Sequence, residues 1–359
     1  MAAATGAKVV TTRRNLGFAG GADVGLRAVS GDVVALLNDD AVAGDRWLAS
    51  AEAVLEDPTV AAVAPKVVLA GRYAEVRLGD ERWFAPGDPR ALGRRIFAVT
   101  VDGRDVLEEV VGAGVHRVET AAGITNEPGE GAGEPGGRWR WTTGPDPFYV
   151  PVPDGRFEVA VDGEPVSVSA PLTLINTVGC YLRDDGYAGD VGLEEPDDGR
   201  HATVCERFAL SGVALAATAD TWRRVGPLAR PLFAYYEDID WSWRARRLGL
   251  RLRYDPSASV VHHRSATSGG VASARVRFLA ERNRLLCLVR NAPWSVASKA
   301  LRRRVAEGPG YGVRRATGAL LPWALATRSR ITRRAVLDAA EVWERWAGVD
   351  VPRDAAPGA

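Results

Sequence analysis

Five consecutive apolar residues, Val33-Val-Ala-Leu-Leu37, run straight into Asn38-Asp39-Asp40. An unbroken apolar run of this kind predicts a strand covered on both faces, as in a parallel sheet. Such sheets take ligands at the carboxyl ends of their strands, so the position of the three polar side chains is itself a constraint. Lys8-Val-Val-Thr-Thr12 predicts a further strand, Gly17–Gly21 a loop, residues 22–29 a short helix, Trp47–Leu55 a helix closed by Asp57-Pro58, and Val60–Val68 another strand. The order β-α-β-α-β predicts an α/β domain.

From Arg72 to about Pro171 the pattern changes to a β-rich insertion. Thr120–Gly137, dominated by Gly, Glu, Ala and Pro, reads as a flexible loop. Phe157–Val161, Asp162-Gly163 and Val166–Val168 predict a hairpin, because Asp-Gly suits a tight primed turn. Leu172–Val178 and Phe208–Ala217 then predict strands, and 220–225 a short helix stopped by Gly226-Pro227. Glu237–Leu248 predicts a helix closed by Gly249. Arg251–Tyr254 and Ser259–His262 predict two strands and Ala274–Val289 a long helix; the rest reads as helical and basic with a disordered tail.

The 359 residues suffice for about two domains of roughly 150 each. A net charge of +1 with 46% hydrophobic residues excludes wholesale disorder and a bulk polycation. Cys180, Cys205 and Cys287 form no C-x-x-C pair, which argues against a disulfide framework or a cysteine zinc site. No apolar run approaches the roughly 18 residues of a membrane span, and no secretory leader is evident, so a cytoplasmic location is expected. Between Lys299 and Arg334 ten basic residues face one acid, Glu307, which makes that stretch a candidate for an anionic membrane surface.

Three clusters carry candidate chemistry. Asn38, Asp39 and Asp40 are oxygen donors suited to Mg²⁺ or Mn²⁺ and a diphosphate, although a turn capping the next helix explains the same residues. Asn15-Leu-Gly-Phe-Ala-Gly-Gly21 brings Asn15, Gly17, Gly20 and Gly21 into a turn where backbone N–H groups can approach phosphate or sugar; a plain strand-to-helix turn is the competing reading. Glu237, Asp238 and Asp240 open a helix, where they serve either as caps or as a general base. Trp241 and Trp243 beside them suit either sugar stacking or a core. His262 ends a strand and can complete a metal shell with Asp40, whereas His116 and His201 are assigned no role.

Together, Asn15-Leu-Gly-Phe-Ala-Gly-Gly-Ala-Asp-Val-Gly25, Leu36-Leu-Asn-Asp-Asp-Ala41, Phe233-Ala-Tyr-Tyr-Glu-Asp-Ile-Asp-Trp-Ser-Trp-Arg244, Asp255-Pro-Ser-Ala-Ser-Val-Val-His262 and Glu281-Arg-Asn-Arg284 resemble, in order, motifs of inverting GT-A glycosyltransferases. The likeness is to the rhamnosyltransferase-like and galactofuranosyltransferase-like branch of glycosyltransferase family 2, over about residues 8–71 and 172–293. The resemblance implies a Rossmann-like mixed sheet flanked by helices, carrying the inserted β-rich subdomain and a basic helical C-terminus. By it, Asn38, Asp39 and Asp40, with Asn15, Gly17, Gly20 and Gly21, hold the nucleotide-sugar. Asp40 and His262 hold the metal, Asp238 acts as base beside Glu237 and Asp240, and Trp241 and Arg244 meet the acceptor. The implied donor is UDP- or dTDP-linked, and the implied acceptor is a cell-envelope glycan or a lipid-linked sugar.

The family's chains begin earlier, with strands that grip the nucleoside, so an N-terminally truncated donor half is expected at 1–71. Residues 72–170 form the insertion, 171–270 the acceptor and catalytic half, and 271–359 the basic helical region. Loss of the first strands leaves a second reading open, a non-catalytic scaffold of the same fold. Leu228-Ala-Arg230 also departs from the Phe-Asp-Glu that the family often carries after the Gly-x turn. Ile331, Ala335, Ala339, Val342 and Trp346 recur as one helical face, suited either to the inner surface of the plasma membrane or to packing. Nucleic acid is not an expected partner, since the basic residues lack interleaved aromatics.

Overall fold

The computed structural model describes residues 7–86, 88, 90–120, 123–124, 138–263, 274–306 and 312–352. Most of the expected 120–137 loop, all but residues 120 and 123–124, lies outside these residues, as does the tail from 353.

The N-terminal layer contains α1 (Gly17–Leu26), β1 (Val33–Leu37), β2 (Ala41–Ala43), α2 (Trp47–Leu55) and β3 (Val60–Leu69). The strand covered on both faces is β3, buried along its length except at Lys66. β1 is only partly buried and pairs antiparallel with β18 (Ala214–Thr218), at one end of the sheet, where β18 in turn pairs with β3. The expected central parallel position of β1 is therefore corrected to an edge. β19 (Arg251–His262) is a single strand, parallel to β3, with a register shift between Asp255 and Ser259 around Pro256. β14 (Ile175–Thr177) joins β3, while β2 and β17 (Cys205–Glu206) join β19. The mixed sheet flanked by helices agrees with the expected class.

Two local expectations fail for tertiary reasons. Residues 7–12 form no strand and are exposed; β-branched propensity gains nothing where no neighbouring strand pairs with it. The 208–217 segment is a strand only from Ala214, because Phe208, Ala209 and Leu210 pack into the cores beneath helices.

The insertion carries β4 (Arg72–Val76), β5 (Arg95–Ile96), β6 (Val99–Val101), β7 (Arg104–Asp105), β8 (Glu119–Thr120) and β9 (Gly123–Ile124). It continues with β10 (Arg138–Trp141), β11 (Phe148–Val152), β12 (Val159–Val161) and β13 (Glu164–Pro165). Its own core gathers Ile96, Leu107, Phe148, Val150 and Val161; full burial of such side chains contributes about 1.5–3 kcal/mol each. Asp162 and Gly163 link β12 to β13 with φ of 52° and 84°, the primed turn expected of Asp-Gly. β15 (Cys180–Leu182) and β16 (Ala188–Asp190) follow as a separate hairpin.

The second half adds α3 (Ala219–Val225), a 3-10 turn at Arg230–Leu232, α4 (Glu237–Arg247), α5 (Ala274–Asn291), α6 (Trp294–Ala306), α7 (Val313–Arg334) and α8 (Ala339–Trp346). The apolar stripe from Ile331 to Trp346 is not one helix. Ala335 is extended, and Asp338 starts α8 with a capping box closed by Glu341. Val342 and Trp346 are buried with Phe208 and Trp243, so this part of the stripe packs inward. Among the described residues no helix is long and apolar enough to cross a membrane.

Candidate active site

The carboxyl ends of β1 and β19 meet. Pairing of β2 with β19 sets His262 opposite Ala41, and the N–H of His263 donates to the Asp40 carbonyl at 2.8 Å. His262 Nε2 consequently lies 3.0 Å from Asp40 Oδ1, while its Nδ1 lies 2.5 Å from Oδ1 of the buried Asn176. With the amide so oriented, Nδ1 donates to Asn176, and Nε2 faces the Asp40 carboxylate. Asn38 adds a buried Oδ1 without a hydrogen-bond partner, whereas Asp39 is exposed. Among the described residues no group of three His, Cys, Asp or Glu could hold a metal. Asp40 and His262 offer one carboxylate oxygen and one imidazole nitrogen, two of the several ligands a divalent cation needs.

The glycine segment does not form the expected loop. Asn15 Oδ1 accepts from the Gly17 N–H at 2.8 Å, and α1 begins at once. Gly17 has φ of 69°, and a Cβ there would stand 2.3 Å from the Phe233 carbonyl oxygen, so glycine is required for close approach to the 233–236 loop. Gly20 and Gly21 lie inside the helix; a Cβ on Gly20 would meet Leu16 at 2.6 Å, and Gly21 faces open space. Their expected role as a phosphate-cradling turn is corrected accordingly.

Asp238 and the 38–40 cluster are joined through two adjacent residues. The Gly212 N–H donates to Asp238 Oδ2 at 2.8 Å, and the Val213 carbonyl accepts from the Asn38 N–H at 2.9 Å. Asp238 Oδ1 also accepts from the Ile239 N–H at 2.7 Å, yet burial outweighs these bonds and raises its carboxyl above the usual range. Glu237 is buried with Oε2 unpartnered, and burial followed by the charges of Asp238 and Asp240 pushes it well above that range.

Three expected site residues turn away from this region. Asp240 is fully buried, bound by Arg290 at 2.7 Å, Arg244 at 2.9 Å and Asn291 at 3.0 Å. Despite burial, these partners pull its carboxyl down to about 2. Arg244 is consumed by Asp240 and the carbonyls of Val225 and Pro227. Trp241 packs on Trp222 at 4.6 Å and donates to the Gly226 carbonyl, leaving it 1% exposed. The acceptor contacts expected of Trp241 and Arg244, and the catalytic place of Asp240, give way to core packing.

Residues without an assigned role hold the loop before α4. Phe233, Tyr235 and Tyr236 have φ of 71°, 68° and 69°, unusual for non-glycine residues and a reservoir of strain. Nδ2 of the fully buried Asn283 points at the carbonyls of Leu232, Ala234 and Tyr235 within 2.7–2.9 Å. Glu281 accepts from Tyr187 at 2.7 Å and from Arg284 at 2.8 Å. Asn176, Gly212 and Val213 carried no signal in the sequence, while Asn283 sat inside the quoted Glu281–Arg284 motif.

A mixed α/β sheet whose strand ends gather carboxylates, an imidazole and a buried helix-start acid is the class of site described here. Residues 2–95 match the family described as Glycosyl transferase family 2, a span that includes Asn15–Gly21 and Asn38–Asp40. The match to that family covers about a quarter of the chain. Among solved structures, GalNAc-T7 with UDP, GalNAc and Mn2+ is similar at 12% identity and a TM-score of 0.47, covering 96% of this chain and 46% of that one. The chain spans less than half the length of that relative. No curated protein matches it.

Proposed function

We propose that the protein is an inverting GT-A-type glycosyltransferase that moves a sugar from a UDP- or dTDP-linked donor to a hydroxyl of a cell-envelope glycan or lipid-linked acceptor. The observation carrying this reading is the Gly212-Val213 link, which brings Asp238 and the Asn38–Asp40 strand end to one place. In the reaction, the acceptor oxygen bonds to the anomeric carbon while the bond from that carbon to the diphosphate breaks. The electron pair leaves on the diphosphate, and Asp238 takes the acceptor proton. Its raised pKa brings the carboxylate closer to a hydroxyl's proton demand. Asp40 and His262 would hold a divalent cation, and when bound it neutralises charge on the departing diphosphate. Asn38 and Asn15 orient the donor beside it.

Exposed arginines on α6 and α7, among them Arg302, Arg314, Arg315, Arg330 and Arg333, suit a peripheral position on the inner face of an anionic membrane. The decisive experiment is a thermal-shift panel with UDP, dTDP and GDP, each with and without Mn²⁺ or Mg²⁺. A metal-dependent rise for one nucleotide, lost in Asp40→Asn, supports the donor site, because a ligand of the native state stabilises it. A well-folded sample that shifts with no nucleotide overturns the reading in favour of a non-catalytic scaffold.

A further inference from the structure

Alternation along β5 and β10 sorts the side chains of the insertion onto two faces. Arg140 pairs with Ile96 and Trp141 with Arg95. Ile96 is fully buried, and Arg140 turns inward to the carbonyls of Leu107, Val110 and His116. Arg95, Phe97, Trp139 and Trp141 therefore share the opposite, outer face. The Arg95 guanidinium lies 5.1 Å from the Trp141 ring centre and 5.4 Å from those of Trp139 and Phe97. Trp83 meets Trp141 edge-on at 5.7 Å. Trp83 is 46% and Phe97 42% exposed, so this is an open aromatic surface rather than a core.

Among the described residues no acid pairs with the charge at its centre. Neighbouring arginines have acids: Arg90 has Asp88 and Glu119, Arg94 has Asp162, and Arg138 has Asp105 and Glu108. Glu119, on the adjoining β8, is engaged by Arg90 and by the Trp139 indole N–H at 3.2 Å. Arg95 has neither an ion pair nor a side-chain hydrogen bond among the described residues. Cation–π contacts hold its plane in place while leaving its N–H fork without acceptors.

We propose that this face of the insertion binds an anionic saccharide. The C–H face of a sugar ring packs on the Trp and Phe rings, and a carboxylate or phosphate on that sugar takes the bidentate fork of Arg95. The charge complementarity selects an acidic glycan over a neutral one. This site goes beyond the transfer reading, since it needs no donor, cation or Asp238.

Calorimetric titration of the full chain without nucleotide tests it. The probes are an oligogalacturonide, a phosphorylated oligosaccharide, a neutral oligosaccharide of equal length and polyglutamate. At least one acidic saccharide is expected to bind about tenfold or more tighter than the neutral one, the gain of a charge-assisted contact. Which of the two binds better identifies carboxylate or phosphate as the recognised group. Arg95→Gln erases the preference, and Trp83→Ala weakens both acidic and neutral binding. The wild-type comparison of acidic with neutral probe stands even where a variant folds poorly. Asp238→Asn leaves the binding unchanged, so a failed transfer assay and a failed saccharide titration are separate results. No saccharide binding, polyglutamate binding as tightly as the sugars, or a preference that survives Arg95→Gln would each overturn the proposal.

Discussion

His262 Nε2 stands 3.0 Å from the Asp40 carboxylate across 222 positions of chain. The contact exists because β2, immediately after Asp40, pairs with the last residues of β19. A cation inserted between them would use both side chains at once. His262→Ala is expected to weaken Mn²⁺ binding in the presence of UDP by about tenfold or more, at the lower end of losses seen when metal-site partners are removed. Titration of Mn²⁺ by calorimetry reads it, with excess chelator as the blank. Unchanged Mn²⁺ affinity in His262→Ala would remove the histidine from the site.

Asp238 and Asp240 lie two residues apart yet predict opposite phenotypes. Asp240→Asn strands Arg244 and Arg290 in the core, costing about 3–5 kcal/mol of stability. Asp238→Asn disturbs one of two backbone bonds, at about 1 kcal/mol, but lowers the rate by about 10²–10⁴. The pH dependence separates them further. Asp240 sits at about 2 in the folded chain against an ordinary 3.8. Its contribution is present above the ordinary value and is lost as pH falls from there toward 2. Urea unfolding and initial rates on both variants decide the assignment; a stable, inactive Asp240→Asn would reverse it.

Segments whose signal is local were legible. Trp47–Leu55 forms a helix with the expected bounds, the Asp162-Gly163 turn closes its hairpin, and Gly249 ends α4 with φ of 73°. What tertiary packing decides was not. Gly20 and Gly21 look like a loop, but docking of α1 against Phe233 and Arg230 overrides their poor helix propensity. The acids of α4 were visible, but not which faced the sheet: this helix is buried almost all round, so Trp241 and Arg244 had no exposed face to offer. Asn176 and Gly212 act through one contact each and leave no pattern, whereas the Asp338–Glu341 capping box was readable beforehand and breaks the supposed C-terminal stripe.

Asn283 is expected to couple loop strain to activity. Its amide nitrogen serves three carbonyls of the segment in which Phe233 and Tyr235 adopt positive φ, and that segment delivers Asp238. Asn283→Ala removes a donor from the Ala234 and Tyr235 carbonyls, while that of Leu232 keeps Arg282 and the Ala234 N–H, at about 1–3 kcal/mol. Asn283→Asp does more harm, because an ionised carboxylate repels all three. Both variants should lower kcat beyond what their unfolded fraction explains. Asn283→Asp as stable and active as the parent would show that the loop holds its shape unaided.

Glu237 supplies a pH test of which acid is the base. Its carboxyl is pushed well above its ordinary 4.5, first by burial and then by Asp238 and Asp240, and Oε2 has no hydrogen-bond partner. In the window between the ordinary and the raised value the folded chain binds more protons than the unfolded one, so stability falls as pH rises through it. Glu237→Gln, uncharged and of the same shape, removes that slope. Melting curves should coincide near pH 4.5 and favour the variant at pH 8. A Glu237 that keeps its proton can donate but cannot act as a base. Near neutral pH that task then falls to Asp238, whose rise is opposed by the Gly212 and Ile239 N–H groups. A parent and variant that share the same pH slope would mean Glu237 is ionised in the fold, and the division of roles between the two acids would fail with it.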